Sequence, residues 1–368
     1  MNASMNARQA IRSARAGFTA LSVAVLVAGG CGQEEGVSFS STLEAPAKPG
    51  DGYRLVSTSD DRDQINHISV SGNSLFFEVP WQGLFQMPKY GGDVTAVDRD
   101  THAMFSGLAS SGGELLWLKS HFDSHDYPDD FILWRPAAGG PTAVLRHADL
   151  NTVSINNWSS LTADASHVYL RTEDGLEVTP IGGGATELVA QSVWALGPGA
   201  VSFASDYPMV YKTHCEPDPL TCVLKSVDVP TGTEQVVGPI SQSAQIVGLD
   251  AGSVYLLDGP RLWSLDRVDG AETELIGAAA GIRPGPPVAL DGETVYFMGA
   301  DPGEPAARLM AVSKSGGAAT ILGSDSRLAA YPWDMAVDDQ FVFVLTGLSE
   351  VNARNEILAF PKTLAPAP

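Results

Sequence analysis

Beyond residue 52 the chain is a series of short apolar runs cut apart by Gly, Pro, Asp and Asn, with no long stretch of sustained helical periodicity. One pattern recurs. A short strand ends in Asp or Gly. Four and five residues later come a β-branched or apolar residue and an aromatic. A second apolar strand follows, then a Gly-Gly or similar turn, then a strand ending in Leu or Val. The clearest copies run Leu249–Gly277, Leu290–Gly323 and Thr162–Ala190. Their turn residues Asp250, Asp291 and Asp164 precede Val254-Tyr255, Val295-Tyr296 and Val168-Tyr169. The same spacing gives Asp338 with Val342-Phe343, Gly72 with Phe76-Phe77 and Gly112 with Leu116-Trp117. The seventh and faintest copy is read at Gly197 with Val201-Ser202, its aromatic Phe203 displaced by one.

Seven copies of a four-strand unit predict an all-β fold, a seven-bladed β-propeller of four-stranded antiparallel blades. One such sheet cannot bury both faces alone, whereas packing face to face around a ring buries them and protects the edges. Two residues before each turn marker stand Val70, Ser110, Thr162, Ala195, Gly248, Ala289 and Ala336, the small side chains a crowded central channel requires. The last copy, Asp334–Thr363, holds three strands and lacks the outer one. Tyr53–Thr58 (YRLVST) stands alone before the first copy, so it is expected to complete the last blade and close the ring. The repeats resemble the broad group of YWTD-, NHL- and TolB-type propellers, and most closely the uncharacterised repeat lipoproteins of myxobacteria. There is no YWTD tetrapeptide, no Trp-Asp signature and no Asp-box, so the resemblance implies fold and leaves function open.

The N-terminus carries a different signal. Arg8, Arg12 and Arg15 precede the apolar run Gly17–Ala28, which ends in Gly29, Gly30 and Cys31. Basic, apolar and small-residue zones in this order describe an export signal, and the run is short of the roughly 20 residues a bilayer span needs. Ala28-Gly29-Gly30-Cys31 resembles the bacterial lipobox, with Ala28 where the family usually has Leu. The resemblance implies cleavage before Cys31, diacylglycerol on its thiol and an acyl chain such as palmitate on its amine. Gly32 in place of Asp implies sorting to the outer membrane. The domain reading is therefore a signal peptide over 1–30, a Gly-, Ser-, Pro- and Glu-rich tether over 31–52, the propeller over 53–363 and a tail over 364–368.

Charge narrows the partners. The chain carries −21, and loss of three signal arginines takes the mature protein to −24. With no basic stripe, this argues against nucleic acid, whose binding needs Lys and Arg at the phosphates. The expected partner is a protein or glycan at the cell envelope, with the membrane touched through the lipid anchor only and the chain a monomer. Cys215 and Cys222, in HCEPDPLTC, are a candidate disulfide in an oxidising compartment such as the periplasm.

Candidate chemistry is sparse. HFDSHDYPDD places His121, Asp123 and His125 in one loop between the second and third strands of the second copy. Read as chemistry, it is a site for calcium or another divalent metal; read as structure, it is a solvated hairpin loop. No other cofactor is indicated. SDDRDQ, with Asp60, Asp61 and Asp63, reads as a charged turn. Trp158 and Trp333 precede their turn markers near the expected channel mouth, where they could line a ligand site with His67 and Asp334. No HExxH and no Gly-x-Ser-x-Gly elbow occurs, and Gly182-Gly183-Gly184 matches the Gly-Gly turns of other copies. The leading expectation is a non-catalytic binding or scaffold propeller, with no catalytic residue assigned. The alternative is an envelope lyase or hydrolase whose residues are spread over blades around the central channel.

Overall fold

The apolar runs become strands, and the strands become blades. The computed structural model describes residues 39–41, 46, 51–58, 64–122, 128–148, 161–171, 175–191, 203–217, 220–301, 307–329, 332–347 and 355–362. Six four-stranded antiparallel sheets and one five-stranded sheet follow each other along the chain. Blades 1 to 7 have as inner strands Ile68–Ser71, Ala103–Ser111, Leu161–Ala163, Phe203–Asp206, Gln245–Leu249, Arg283–Leu290 and Asp334–Val337. Each inner strand touches that of the next blade, and Asp334–Val337 touches Ile68–Ser71, so the ring is closed.

Closure follows the expected route. Tyr53–Thr58 pairs antiparallel with Glu356–Pro361 and supplies the missing outer strand of blade 7. Within the stretch read as tether, Phe39–Ser40 adds a fifth strand, with Phe39 opposite Thr58 and Ser40 opposite Ser57. Phe39 packs edge-on against Phe77 and Phe85 of blade 1, so this short strand spans the seam between the last blade and the first. Arg327 reinforces the closure: its guanidinium donates to Gly52 O and Glu356 Oε2, while Asp325 accepts from Gly52 N.

The repeating aromatic pair makes physical sense in this ring. Successive side chains on a strand point to opposite faces. In an ordinary one-sided sheet one of two neighbours would meet water; here both are buried. Val254 packs with Tyr211 of blade 4, and its neighbour Tyr255 with Val295 and Phe297 of blade 6. Val342 likewise packs with Tyr296 of blade 6, and Phe343 with Leu75 and Phe77 of blade 1. Each such side chain contributes about 1.5–3 kcal/mol by leaving water.

Strand pairing corrects the reading of three copies. In blade 4 the turn marker is Asp206 and the pair is Val210-Tyr211, because Phe203–Asp206 is the inner strand and Met209–Pro217 the second. Gly197, Val201 and Ser202 lie outside the described residues. In blades 1 and 2 the register moves back by one: Val70 pairs with Leu75 and Ser110 with Leu115, as Leu249 pairs with Val254. Ser71 and Ser111 therefore hold the position of Asp250. The inner-strand positions become Ser69, Ala109, Thr162, Ala204, Gly248, Ala289 and Ala336, all small. Gly248 shows why size matters: a Cβ there would meet Leu290 of the next inner strand at 2.1 Å.

Candidate functional site

The ring has two faces. We call upper the face at which the chain enters each inner strand, and lower the face carrying the turns from inner to second strand. His67 stands immediately before the inner strand of blade 1, Asp334 opens that of blade 7, and Glu78 lies near the upper end of Ser74–Val79, the second strand of blade 1. The three meet at the closing seam. His67 Nδ1 is 3.6 Å from Asp334 Oδ2, and Nε2 is 3.8 Å from Glu78 Oε1. Asp334 is fixed by its backbone partners: Ile68 N donates to Oδ2 at 2.9 Å and Met335 N to Oδ1 at 2.8 Å. It thereby ties the inner strand of blade 7 to that of blade 1.

Glu78 is fully buried, and neither carboxylate oxygen receives a hydrogen bond of normal geometry. Burial pushes its carboxyl up to about 7, against the pull of His67 and the Gly107 backbone and with the push of Asp334. For His67, burial acts downward, but the charge of Glu78 and the hydrogen bond and charge of Asp334 lift it to about 9. At neutral pH the imidazole is thus held charged between two acids, with one third of its side chain open to solvent. A ring so protonated has no free basic nitrogen for proton abstraction. It can present charge and hydrogen bonds to a ligand.

Trp333 precedes Asp334, donates its backbone N–H to Leu345 O and leaves 42% of its surface exposed. The structure therefore brings together His67, Trp333 and Asp334 among the residues expected at the mouth. Trp158 lies outside the described residues, as do Cys31, Asp60, Asp61, Asp63, Asp123 and His125. His121 does fall on the second strand of blade 2, next to the expected loop; its Nδ1 lies 3.4 Å from Asp100 Oδ2, which also holds Lys119 Nζ at 3.0 Å. Among the described residues no three His, Cys, Asp or Glu side chains are placed to hold a metal ion. Cys215 and Cys222 form the disulfide, across paired positions of the second and third strands of blade 4. Glu78 is the member of the seam cluster that sequence reasoning passed over. Its signal was the one charged residue in the strand SLFFEV.

The lower face shows what the repeated Asp does. In blade 5 Asp250 Oδ1 accepts the amides of Gly252 and Ser253 and shapes the turn, while Oδ2 accepts Tyr255 OH at 2.7 Å and Lys314 Nζ at 2.8 Å. Asp291 repeats this with Glu293, Thr294, Tyr296 and Lys362. Burial opposes ionisation of both carboxyls, yet these donors hold each at about 2. In each case the cation follows the third strand of the next blade. The same latch joins Asp206 to Arg267 and, across the closing seam, Asp338 to Lys89. Where Ser71 or Ser111 replaces the acid, the facing position holds Ala137 or Ile181, and the charge is absent on both sides. Asp164 faces Val229 and takes the Tyr207 amide instead. An open cavity of about 500 Å³ lies between the turns of blades 6 and 7, but Asp291 and Asp338 in its wall are already engaged by these latches.

The fold and its seam define a seven-bladed β-propeller sealed by its own N-terminal strand. No protein-family model and no curated protein sequence matches the chain. Solved structures do. The β-propeller domain of the Trilobed protease from Pyrococcus furiosus, described as having an open velcro topology, superposes with a TM-score of 0.57 at 12% identity over 83% of this chain and 96% of its own. YCF48 bound to D1 peptide gives 0.54 at 13% identity over 88% and 100%. YCF48 from Cyanidioschyzon merolae gives 0.52 at 13% identity over 81% and 95%. At such identities the likeness concerns fold.

Proposed function

We propose that this chain is a cell-envelope lipoprotein, anchored through Cys31 in the outer membrane, whose propeller binds a protein or glycan at the upper channel mouth without catalysis. The observation that carries the binding reading is the seam cluster. His67 is partly exposed, held protonated by Asp334 and Glu78, and bordered by an exposed tryptophan. Charged and aromatic groups converging at one mouth suit recognition. YCF48, of the same fold, is seen with a peptide bound, which makes a protein partner a natural first candidate.

The test is an array of envelope proteins and glycans probed with the mature chain from Gln33. A partner retained by the wild type and lost by Asp334→Asn, assayed where both proteins are folded, is the expected result. No partner on either array, or a partner indifferent to Asp334→Asn, refutes the assignment. Acylation is checked separately: mass spectrometry of the exported chain should show the lipid on Cys31 and its loss in Cys31→Ser.

A further inference from the structure

We propose that the upper rim at blades 7 and 1 rests on the lipid bilayer, with Trp81 and Trp333 in the headgroup zone. This deepens the envelope reading and rests on it, because it takes the lipid at Cys31 as the anchor. It turns the rim at blades 7 and 1 toward the membrane and the latch-bearing lower face away from it, and it gives Trp333 to lipid while leaving His67 and Asp334 to the partner.

Strand direction carries the argument. Phe39 lies opposite Thr58, and Ser40 opposite Ser57. The outer strand Tyr53–Thr58 climbs toward the upper face, where the chain goes on to His67 and the first inner strand. Its antiparallel neighbour therefore descends from that face, with Phe39 at the top. Phe39 thus opens its strand at the upper rim. Phe39 is also clipped against Phe77 and Phe85, so the leash is counted from residue 39 rather than from the start of the outer strand. Cys31 lies eight residues upstream, and eight residues span at most about 28 Å fully extended. That length is shorter than a bilayer is thick and keeps this rim close to the lipid surface.

The side chains on the rim suit that surface. Trp81, in the turn between the second and third strands of blade 1, is 45% exposed, and Trp333, at the entry to blade 7, is 42% exposed. Both lie on the upper face of the two blades where the leash leaves. Tryptophan concentrates at membrane–water interfaces, where its apolar body and polar N–H each find a suitable medium. The other exposed aromatics among the described residues, Tyr90 and Tyr207, lie on the lower face. On this face Arg308 pairs with Asp301 and Arg327 with Asp325, while Arg99 and Arg283 are exposed.

The full chain, exported and acylated in a Gram-negative host, is reconstituted into phosphatidylcholine vesicles brominated near the headgroup. Tryptophan quenching is compared for wild type and W81F/W333F, with each single variant as a fallback should the double variant unfold. Quenching in the wild type about twofold or more above that of the double variant is expected if these two rings supply most of the interfacial contact. A bromine-quenchable probe attached through Val268→Cys on the lower face should stay unquenched. Acylated protein with equal quenching in wild type and variant, or with a quenched lower-face probe, overturns the orientation and leaves the anchor standing. Unacylated Cys31 overturns the anchor reading and this inference with it.

Discussion

Lys89→Met removes the cation of the latch that spans the closing seam. The two partners are among the most enclosed ions of the lower face: Lys89 and Asp338 side chains are 8% and 9% exposed, with Nζ 2.7 Å from Oδ2. Losing Lys89 strands a carboxylate oxygen out of water. For a fully buried pair such a loss costs about 3–5 kcal/mol. Oδ2 is buried, but Asp338 Oδ1 keeps its two turn amides, from Gln340 and Phe341, so the carboxylate is not left wholly unpaired. We therefore expect about 2–3 kcal/mol for Lys89→Met, and about 2 kcal/mol of coupling in a cycle of K89M, D338N and the double variant. Asp338→Asn is the right second arm because the amide oxygen can still accept the turn's N–H groups. Arg261–Glu272, with side chains 34% and 47% exposed, is the control, and its coupling should stay below about 1 kcal/mol. Urea unfolding followed by tryptophan emission reads both cycles. Equal coupling at the two sites would refute the idea that latch burial, rather than charge alone, secures the ring.

Four further outcomes are expected. His67 and Glu78 both bind their protons more tightly in the folded chain, about 9 against 6.5 and about 7 against 4.5. The stabilisation from Glu78 is therefore complete below 4.5 and lost as pH rises through 7, and that from His67 is complete below 6.5 and lost through 9. Glu78→Gln should flatten the first loss in urea titrations and lower the His67 titration seen by NMR; an unmoved imidazole would break the link between them. Asp291 behaves oppositely: held at about 2, it stabilises above 3.8, and that contribution disappears as pH falls toward 2. Asp291→Asn should flatten the acid limb between those values and cost about 1 kcal/mol at neutral pH, a figure reduced for the group's partial exposure. Gly83→Ala should destabilise by more than about 2 kcal/mol, because φ is +146° and a Cβ would sit 2.3 Å from the Asp98 carbonyl oxygen; an unchanged urea midpoint would count against that geometry. Deleting residues 53–58 should destabilise the whole domain, and an unchanged cooperative melt would show that this strand does not close the ring.

The ring was legible because its rule is local. A turn residue and two side chains at fixed distance expose a blade even where identity is low, and the orphan strand YRLVST could be assigned by what the last copy lacked. The rule failed where a neighbour imitated it. In blades 1 and 2 a glycine stands one place after the true marker serine, and the residue before the shifted pair, Leu75 or Leu115, is apolar, so either register satisfied the pattern. In blade 4 Phe203–Asp206 was taken for a second strand, although Asp206 with Val210-Tyr211 keeps the spacing. Two of the three members of the seam cluster, His67 and Asp334, were visible as polar residues at strand entries. Glu78 was not, because its environment comes from His67 at its own strand's neighbour and from Asp334, hundreds of residues away. The latches were equally non-local. Their trace is the Lys or Arg directly after the third strand of blades 5, 6, 7 and 1, following the four acid-bearing blades they hold.

Those latches also limit how such a chain can grow. Every cation reaches back to the blade before it, so a blade latched on both sides carries half of one junction and half of the next. A unit with both halves, such as blade 5 or blade 6, could be copied in place and meet its own duplicate without leaving a charge stranded. A blade with neither half, such as blade 2, is compatible only with neutral edges on both sides. Blade 1, with a cation behind and a serine ahead, converts one kind of border into the other, and blade 4, with Val229 behind and Asp206 ahead, converts it back. Rearranging blades in the laboratory should respect these borders, since the order of units around the circle is constrained by adjacency as well as by number.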